Sequence, residues 1–219
     1  MGERILKSQG SKGFGLREQR KIEKRQSIRS AVRVLFSKHG YETATLRQIA
    51  KRAHVGLGTL FNYAQDKRDL VFLVFNEELS SGLEGALKAA RSQKRLLEQL
   101  MGLSRPHYEF FAKTPELSRI LLKNMTFYSE GKQAAEYVQI RSRLLSGIEE
   151  MVRAAQRDRQ IRSDEDAALI ARHFFLVYAG ALRWWIASRK PDPQEGLAEL
   201  RRLFELQING LRSAPATTD

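Results

Sequence analysis

The 219 residues contain no cysteine. That excludes a disulfide framework and any metal site built on thiolates, and it suits a reducing compartment, so the expected location is cytoplasmic. Proline is scarce, at five residues. Apolar residues recur at three-and-four spacing, so the expected fold is all-α. Histidine is scarce too: His39, His54, His107 and His173 are scattered and form no metal-spaced pair. His107 and Glu109 stand two apart, which on a helix points them away from each other. Neither a Gly-rich phosphate loop nor a nucleophile elbow is present. These absences argue against an enzyme and give no reason to expect a cofactor or a metal.

Long apolar runs are nearly lacking. The opening stretch MGERILKSQGSKGFG has no apolar h-region, so no signal peptide is expected. The most apolar window, Ala167 to Ala187, has the length of a membrane span. It carries Arg172, His173 and Arg183, which are costly in hydrocarbon, so it reads as a buried helix and no membrane partner is expected.

Acidic charge is what the first third lacks. Residues 1–68 hold 16 Lys+Arg against 5 Asp+Glu, a balance of +11; residues 69–219 hold the other 22 against 20, a balance of +2. A basic segment beside a near-neutral one is the footprint of a polyanion binder with a separate second task. With 42% hydrophobic residues the chain can bury a core.

The most informative stretch is Thr45 to Lys67, TLRQIAKRAHVGLGTLFNYAQDK. It reads as two short helices, roughly Leu46 to Ala53 and Leu57 to Tyr63, joined by a tight turn. Thr45 stands where an N-cap belongs. Ile49, Ala50, Ala53, Val55 and Leu60 supply the inner face, and small Ala50 lets the helices cross closely. This is the build of a helix-turn-helix, whose second helix enters the major groove. A helix over roughly Glu23 to His39 precedes it, burying Ile28, Ala31, Val32, Leu35 and Phe36 and ending at Gly40.

Residues 23–75 resemble the N-terminal domain of the tetracycline-repressor (TetR) family. The resemblance is carried by Phe36, Gly40-Tyr41, Thr45, Ile49-Ala50, Ala53, Val55, Gly58-Thr59-Leu60, Tyr63 and Lys67, about a quarter of the chain. Three positions depart from the family pattern. His54 replaces a turn glycine at a site favouring positive φ, Phe61 replaces a tyrosine and one phosphate-contacting hydroxyl with it, and Ala64 replaces a phenylalanine. The resemblance implies a ligand-responsive transcriptional regulator, a repressor, that binds operator DNA as a homodimer and is released when an effector shifts the helix following the motif.

The expected organisation has about nine helices: a basic arm over 1–22, the helix-turn-helix domain over 23–66, an effector-binding and dimerisation domain over 67–212, and a loose tail over 213–219. Asp66 is expected to cap a helix from Lys67 to about Ala90. Further helical patterns cover 94–113, with Pro106 expected to kink or divide it, 115–128, with Pro115 in the first turn, and 134–158. Ser163 is expected to cap the helix after Ser163-Asp164-Glu165-Asp166, and a last helix runs from roughly Gln194 to Leu211.

Thr45, Tyr63 and Lys67 are expected to anchor on phosphates, and Arg47, Gly58, Thr59 and Asn62 to face base edges, Arg47 suiting guanine and Asn62 adenine. Leu57 and Phe61 offer apolar contact. For a hydrophobic effector, aromatic and Met residues with polar tips point to His107, Tyr108, Phe111, Met125, Phe127, Tyr128, Phe174 and Tyr178. Arg119, Lys123, Arg141 and Arg172 are alternatives for attracting an acidic ligand. Because residues 167–187 are apolar nearly all round, a partner is expected to cover one side, through Phe175, Ala179, Leu182 and Trp185 together with Leu200, Phe204 and Ile208 of the last helix. Two other readings remain: an activator of the same fold, and a nucleoid-type protein that binds DNA without sequence preference.

Overall fold

A computed structural model describes residues 15–162 and 164–212. Among them are nine helices and no strand: α1 Leu16–His39, α2 Leu46–Arg52, α3 Leu57–Phe61, α4 Lys67–Arg91, α5 Leu96–Lys113, α6 Pro115–Met125, α7 Ala134–Arg157, α8 Ala167–Ile186 and α9 Pro193–Gly210. No helix of the described residues is long and apolar enough to cross a membrane.

The apolar stripe of α1 is Ile28, Ala31, Val32, Leu35 and Phe36, as its spacing requires. The helix nonetheless starts at Leu16, well before the expected Glu23, so the arm over 1–22 is corrected at its C-terminal end. Residues 16–27 are rich in Arg, Lys, Glu and Gln, which propagate a helix without burying a face, and a reading by apolar period passes over them. Gly40, at φ +78°, ends α1 and donates its N–H to Phe36 O. Residues 1–14, with Lys12, and the tail from 213 lie outside the described residues. So does Ser163, the expected cap of α8; Asp166 takes that role, accepting from the N–H groups of Ala168 and Leu169. Pro106 stays inside an undivided α5, and Pro115 occupies the first turn of α6.

Helix α4 is the spine. Asp66 caps it through the N–H of Asp69, at 2.7 Å. Every residue from Asp69 to Asn76 is buried, whereas from Leu79 onward only the stripe Leu79, Leu83, Ala86, Leu87 and Ala90 is. Its first turns are covered on all sides because α1 lies on one flank and α5, α6 and α7 on the others. The border at 66/67 therefore falls at a helix start that both domains share. Helices α8 and α9 pack on each other, α8 also on α7 and α9 on α5.

The rear helices correct one expectation. Leu182, Trp185, Leu200, Phe204 and Ile208 are buried within the single chain, and Phe175 and Ala179 are half-buried toward its interior. The apolar residues left outside are Leu169, Leu176 and Trp184 on α8, 52%, 60% and 74% exposed, and Leu206 on α9, at 70%. On a helix that is apolar all round, period does not tell which side its own chain covers.

Candidate nucleic-acid interface and effector cleft

The helix-turn-helix is held from inside by Ile49, Ala50, Ala53, Leu60 and Ala64, all buried. Thr45 forms a complete capping box: its hydroxyl accepts from Gln48 N–H at 3.2 Å, and its own N–H donates to the Gln48 side chain at 2.8 Å. The turn closes through Val55 N–H donating to Ala50 O at 3.0 Å, with His54 at φ +53°, the left-handed conformation expected at that site. The Ser27 hydroxyl donates to Ala53 O at 2.8 Å and fastens the turn to α1.

Arg47 on α2 and Gly58, Phe61 and Asn62 on and just after α3 are all exposed, with Leu57 and Thr59 half-buried. Nothing lies within 4 Å of where a Cβ on Gly58 would be, so that face of α3 is open to close approach. Lys51 and Arg52 are exposed at the end of α2 and were not singled out from the sequence; their alternation with buried Ile49, Ala50 and Ala53 is the signal that would have found them. Helix α3 ends at Phe61, and Asn62 is its C-cap.

Two expected phosphate anchors have internal partners. The Lys67 ammonium donates to Tyr41 O and Glu42 O, both at 2.9 Å, and lies 4.9 Å from the centre of the Tyr41 ring. Two of its three protons thus pin the α1–α2 turn. The Tyr63 hydroxyl donates to Lys21 O at 3.2 Å.

Behind the motif, a buried carboxylate ties it to the rear helices. Asp69 accepts from Gln65 N–H and Lys132 N–H at 2.9 Å each, from Gln133 N–H at 3.3 Å, and from the Tyr128 hydroxyl. Tyr128 stacks on Phe72 with ring centres 3.6 Å apart. Its hydroxyl is held far above the usual phenol range by burial and by the Asp69 carboxylate. Gln133 donates to Tyr63 O at 2.9 Å and accepts from Asn76 at 3.0 Å. The α6–α7 loop is thereby clasped to the start of α4 and to the end of the motif.

A narrow cleft with about 80 Å³ of internal room opens between α4, α5, α6, α7 and α8. Its floor is Leu79, Leu83, His107, Phe111, Leu122, Tyr137, Ile140, Tyr178 and Leu182; Met125, Arg141, Leu144, Phe175, Ala179 and Arg183 form the more exposed rim. Of the expected pocket residues, His107, Phe111, Met125 and Tyr178 line it. The other four do not. Tyr108 packs on Trp185, Phe127 is 84% exposed, Tyr128 belongs to the Asp69 clasp, and Phe174 lies behind, edge-on to Phe204. Tyr128 was misplaced because its polar partner is 59 positions away in the sequence. Phe175 and Ala179, expected at a dimer contact, line this cleft instead. Of the candidate cations only Arg141 faces it. Arg119 donates to Ile186 O and Ser188 O, Lys123 pairs with Glu42, and Arg172 is exposed on α8.

His107 and the Tyr178 hydroxyl are hydrogen-bonded at 2.8 Å on the cleft floor. Burial lowers the His107 imidazolium pKa to about 4, so the ring is neutral at pH 7. The unfolded chain takes up this proton near pH 6.5, before the folded one does. Stability from this site is therefore complete above pH 6.5 and lost progressively as pH falls toward 4, by up to about 3 kcal/mol. Thermal melts of the wild type and of His107→Gln at pH 7.5 and 5.0 are expected to show a smaller pH-dependent fall for the variant; parallel falls would contradict this.

The fold and its outer face define an all-helical protein with a helix-turn-helix domain joined to a larger helical body. The family model for bacterial regulatory proteins of the tetR family matches residues 28–74. That match takes in the helix-turn-helix and parts of its flanking helices, about a fifth of the chain. An HTH-type transcriptional regulator of Staphylococcus aureus is 38% identical over 60 residues, 27% of this chain and 32% of that one. The chain thus spans about a third of the length of that relative. Similar solved structures extend over the whole fold. The transcriptional regulator FadR of Bacillus subtilis, in complex with stearoyl-CoA, has a TM-score of 0.67 at 18% identity, covering 85% of this chain and 99% of that one. FadR of Thermus thermophilus, a TetR-family repressor in complex with lauroyl-CoA, has a TM-score of 0.63 at 24% identity, covering 89% and 98%.

Proposed function

We propose that this chain is a sequence-specific transcriptional repressor that binds inverted-repeat DNA as a homodimer and leaves it when an elongated apolar effector enters the cleft. The observation that carries the reading is the exposure of Arg47, Gly58 and Asn62 on a capped, internally braced helix-turn-helix, within a segment whose charge balance is +11. Arg47 suits guanine and Asn62 adenine, Leu57 and Phe61 offer apolar contact to thymine methyls, and the Thr45 and Thr59 hydroxyls suit the backbone or groove wall. The site of action is the cytoplasm, where such DNA lies.

Leu169, Leu176, Trp184 and Leu206 present an apolar face that water covers poorly, and a twofold copy of the same face is its natural cover. The two recognition helices then stand about one DNA turn apart, ~34–36 Å, or a multiple of it. The effector reading is supported by a cleft whose floor is apolar apart from a neutral His–Tyr pair and the Tyr137 hydroxyl, and by two neighbours in fold that were solved with acyl-CoA ligands. An occupant that spreads α6 from α8 would move the α6–α7 loop, and through the Asp69 clasp the start of α4.

Gel-shift titration with the preferred DNA site tests the division of roles. Arg47→Ala is expected to cost ~1–3 kcal/mol at one base pair and to relax preference there. Lys67→Ala, which unpins the α1–α2 turn, is expected to weaken binding to all sequences alike. Equal loss of base preference in both variants would refute the assignment.

A further inference from the structure

The cleft has a polar end that neither its lining aromatics nor the fold explains. Arg141 on α7 and Arg183 on α8 stand on its rim, and no aspartate or glutamate lines it. Several other arginines of α4, α7 and α9 have acidic partners: Arg143 with Glu84, Arg91 with Glu150, Arg153 with Glu149, and Arg201 with Glu98 on both nitrogens at 3.0 Å; Arg157 and Arg172, exposed on α7 and α8 away from the cleft, have none among the described residues. Among the described residues, Arg141 and Arg183 form no ion pair. Arg183 makes do with carbonyl and hydroxyl acceptors: Ala179 O at 2.9 Å, Leu122 O at 3.5 Å and Thr126 Oγ1 at 3.4 Å, the last two at the outer limit of a hydrogen bond. Arg141 lies 5.7 Å from the Tyr137 ring centre.

We infer that Arg141 and Arg183 recognise an anionic group at one end of the effector, so that the ligand is an apolar chain ending in a carboxylate or carrying phosphates. Two guanidinium groups beside a low-dielectric wall raise the local potential, and a planar, always-charged fork matches carboxylate and phosphate oxygens. The floor offers a head group nothing comparable, because His107 is neutral and already bonded to Tyr178. The ligand therefore enters tail first, with its chain toward Leu79, Leu83 and Phe111 and its anion at the rim. Arg183 turns from the end of α6 to the anion when the ligand binds, so ligand charge and the placement of α6 are linked. This rests on the proposed effector cleft.

Calorimetric titration of the full-length protein with dodecanoic acid, dodecanoyl-CoA and dodecanol, each below its micelle concentration, separates the cases. At least one of the two anions is expected to bind about tenfold or more tightly than the alcohol, as a charge-assisted hydrogen bond predicts. Preference for the acid identifies a carboxylate at the rim; binding of the CoA ester alone identifies the phosphates. Arg141→Met and Arg183→Met are expected to erase that preference while leaving dodecanol affinity within about threefold, too small a change for the loss of a charged contact. Because Arg183 also braces α6, Arg119→Met, which removes a brace outside the cleft, serves as its control and is expected to keep the preference. An alcohol that binds as tightly as both anions leaves the cleft standing and overturns the inference. No binding by any of the three overturns the cleft and the inference together.

Discussion

Replacing Asp69 with alanine is expected to lower the stability of the folded chain by about 3–5 kcal/mol, the scale for stripping one partner from a buried charged network. The carboxylate is fully buried and is the shared acceptor for Gln65, Lys132 and Gln133 N–H groups and the Tyr128 hydroxyl. Alanine leaves the buried Tyr128 hydroxyl and Gln133 N–H without their acceptor, and each unsatisfied buried donor carries its full desolvation cost. Asp69→Asn preserves the shape but sets a second donor against donors, so it is expected to fall close to alanine rather than to wild type. Gly131 gives an independent check. It has φ +130°, and an added Cβ would lie 2.3 Å from Asp69 Oδ1. Gly131→Ala is therefore expected to break the same clasp from the other side. Thermal melts report the loss as a fall of roughly 10 °C or more for a chain of this size. Any variant that still folds is expected to bind DNA with a weakened response to effector. A melting temperature within about 2 °C of wild type for Asp69→Ala, less than one kcal/mol at this size, would show that the clasp is not structural.

Trp184→Glu, alone or with Leu176→Glu, is expected to turn a dimer into a folded monomer. Both side chains project from α8, so a charge there costs the single chain little. Facing its own twofold copy, the same charge must be desolvated beside its like. Sedimentation at micromolar concentration reads the change directly. Affinity for the inverted repeat is expected to drop by ~100-fold or more, the usual benefit of joining two binding modules. Leu200→Glu, at a fully buried position, should instead unfold the chain. If Trp184→Glu remains dimeric, the contact lies on another face.

These variants mark what the amino-acid order discloses. The helix-turn-helix was legible because its signals are local: the Thr45 cap and its Gln48 partner lie within one turn, the left-handed site at His54 falls between two helices, and the stripes of α1 and α2 repeat at helical spacing. The rear helices were legible as helices but not as surfaces. Helix α8 is apolar on all sides, and only the packing of α7 and α9 shows that Leu182 and Trp185 face in while Leu176 and Trp184 face out. Asp69 reads in sequence as an ordinary first-turn acid. Its partners Tyr128, Lys132 and Gln133 come from a loop about sixty positions later. The cleft was half legible for the same reason: His107 and Tyr178, which form its one polar pair, are 71 positions apart, and Arg183 drew notice only as a charge that argued against a membrane span.

The central claim is that a paired helix-turn-helix reads sequence. Selection of bound fragments from random duplex DNA by the purified protein tests it most directly. The account predicts an inverted repeat whose half-sites stand about one helical turn, or a multiple of it, apart, and Arg47→Ala should blur one position in each half. Enrichment of no motif, with equal affinity across duplexes, would contradict it.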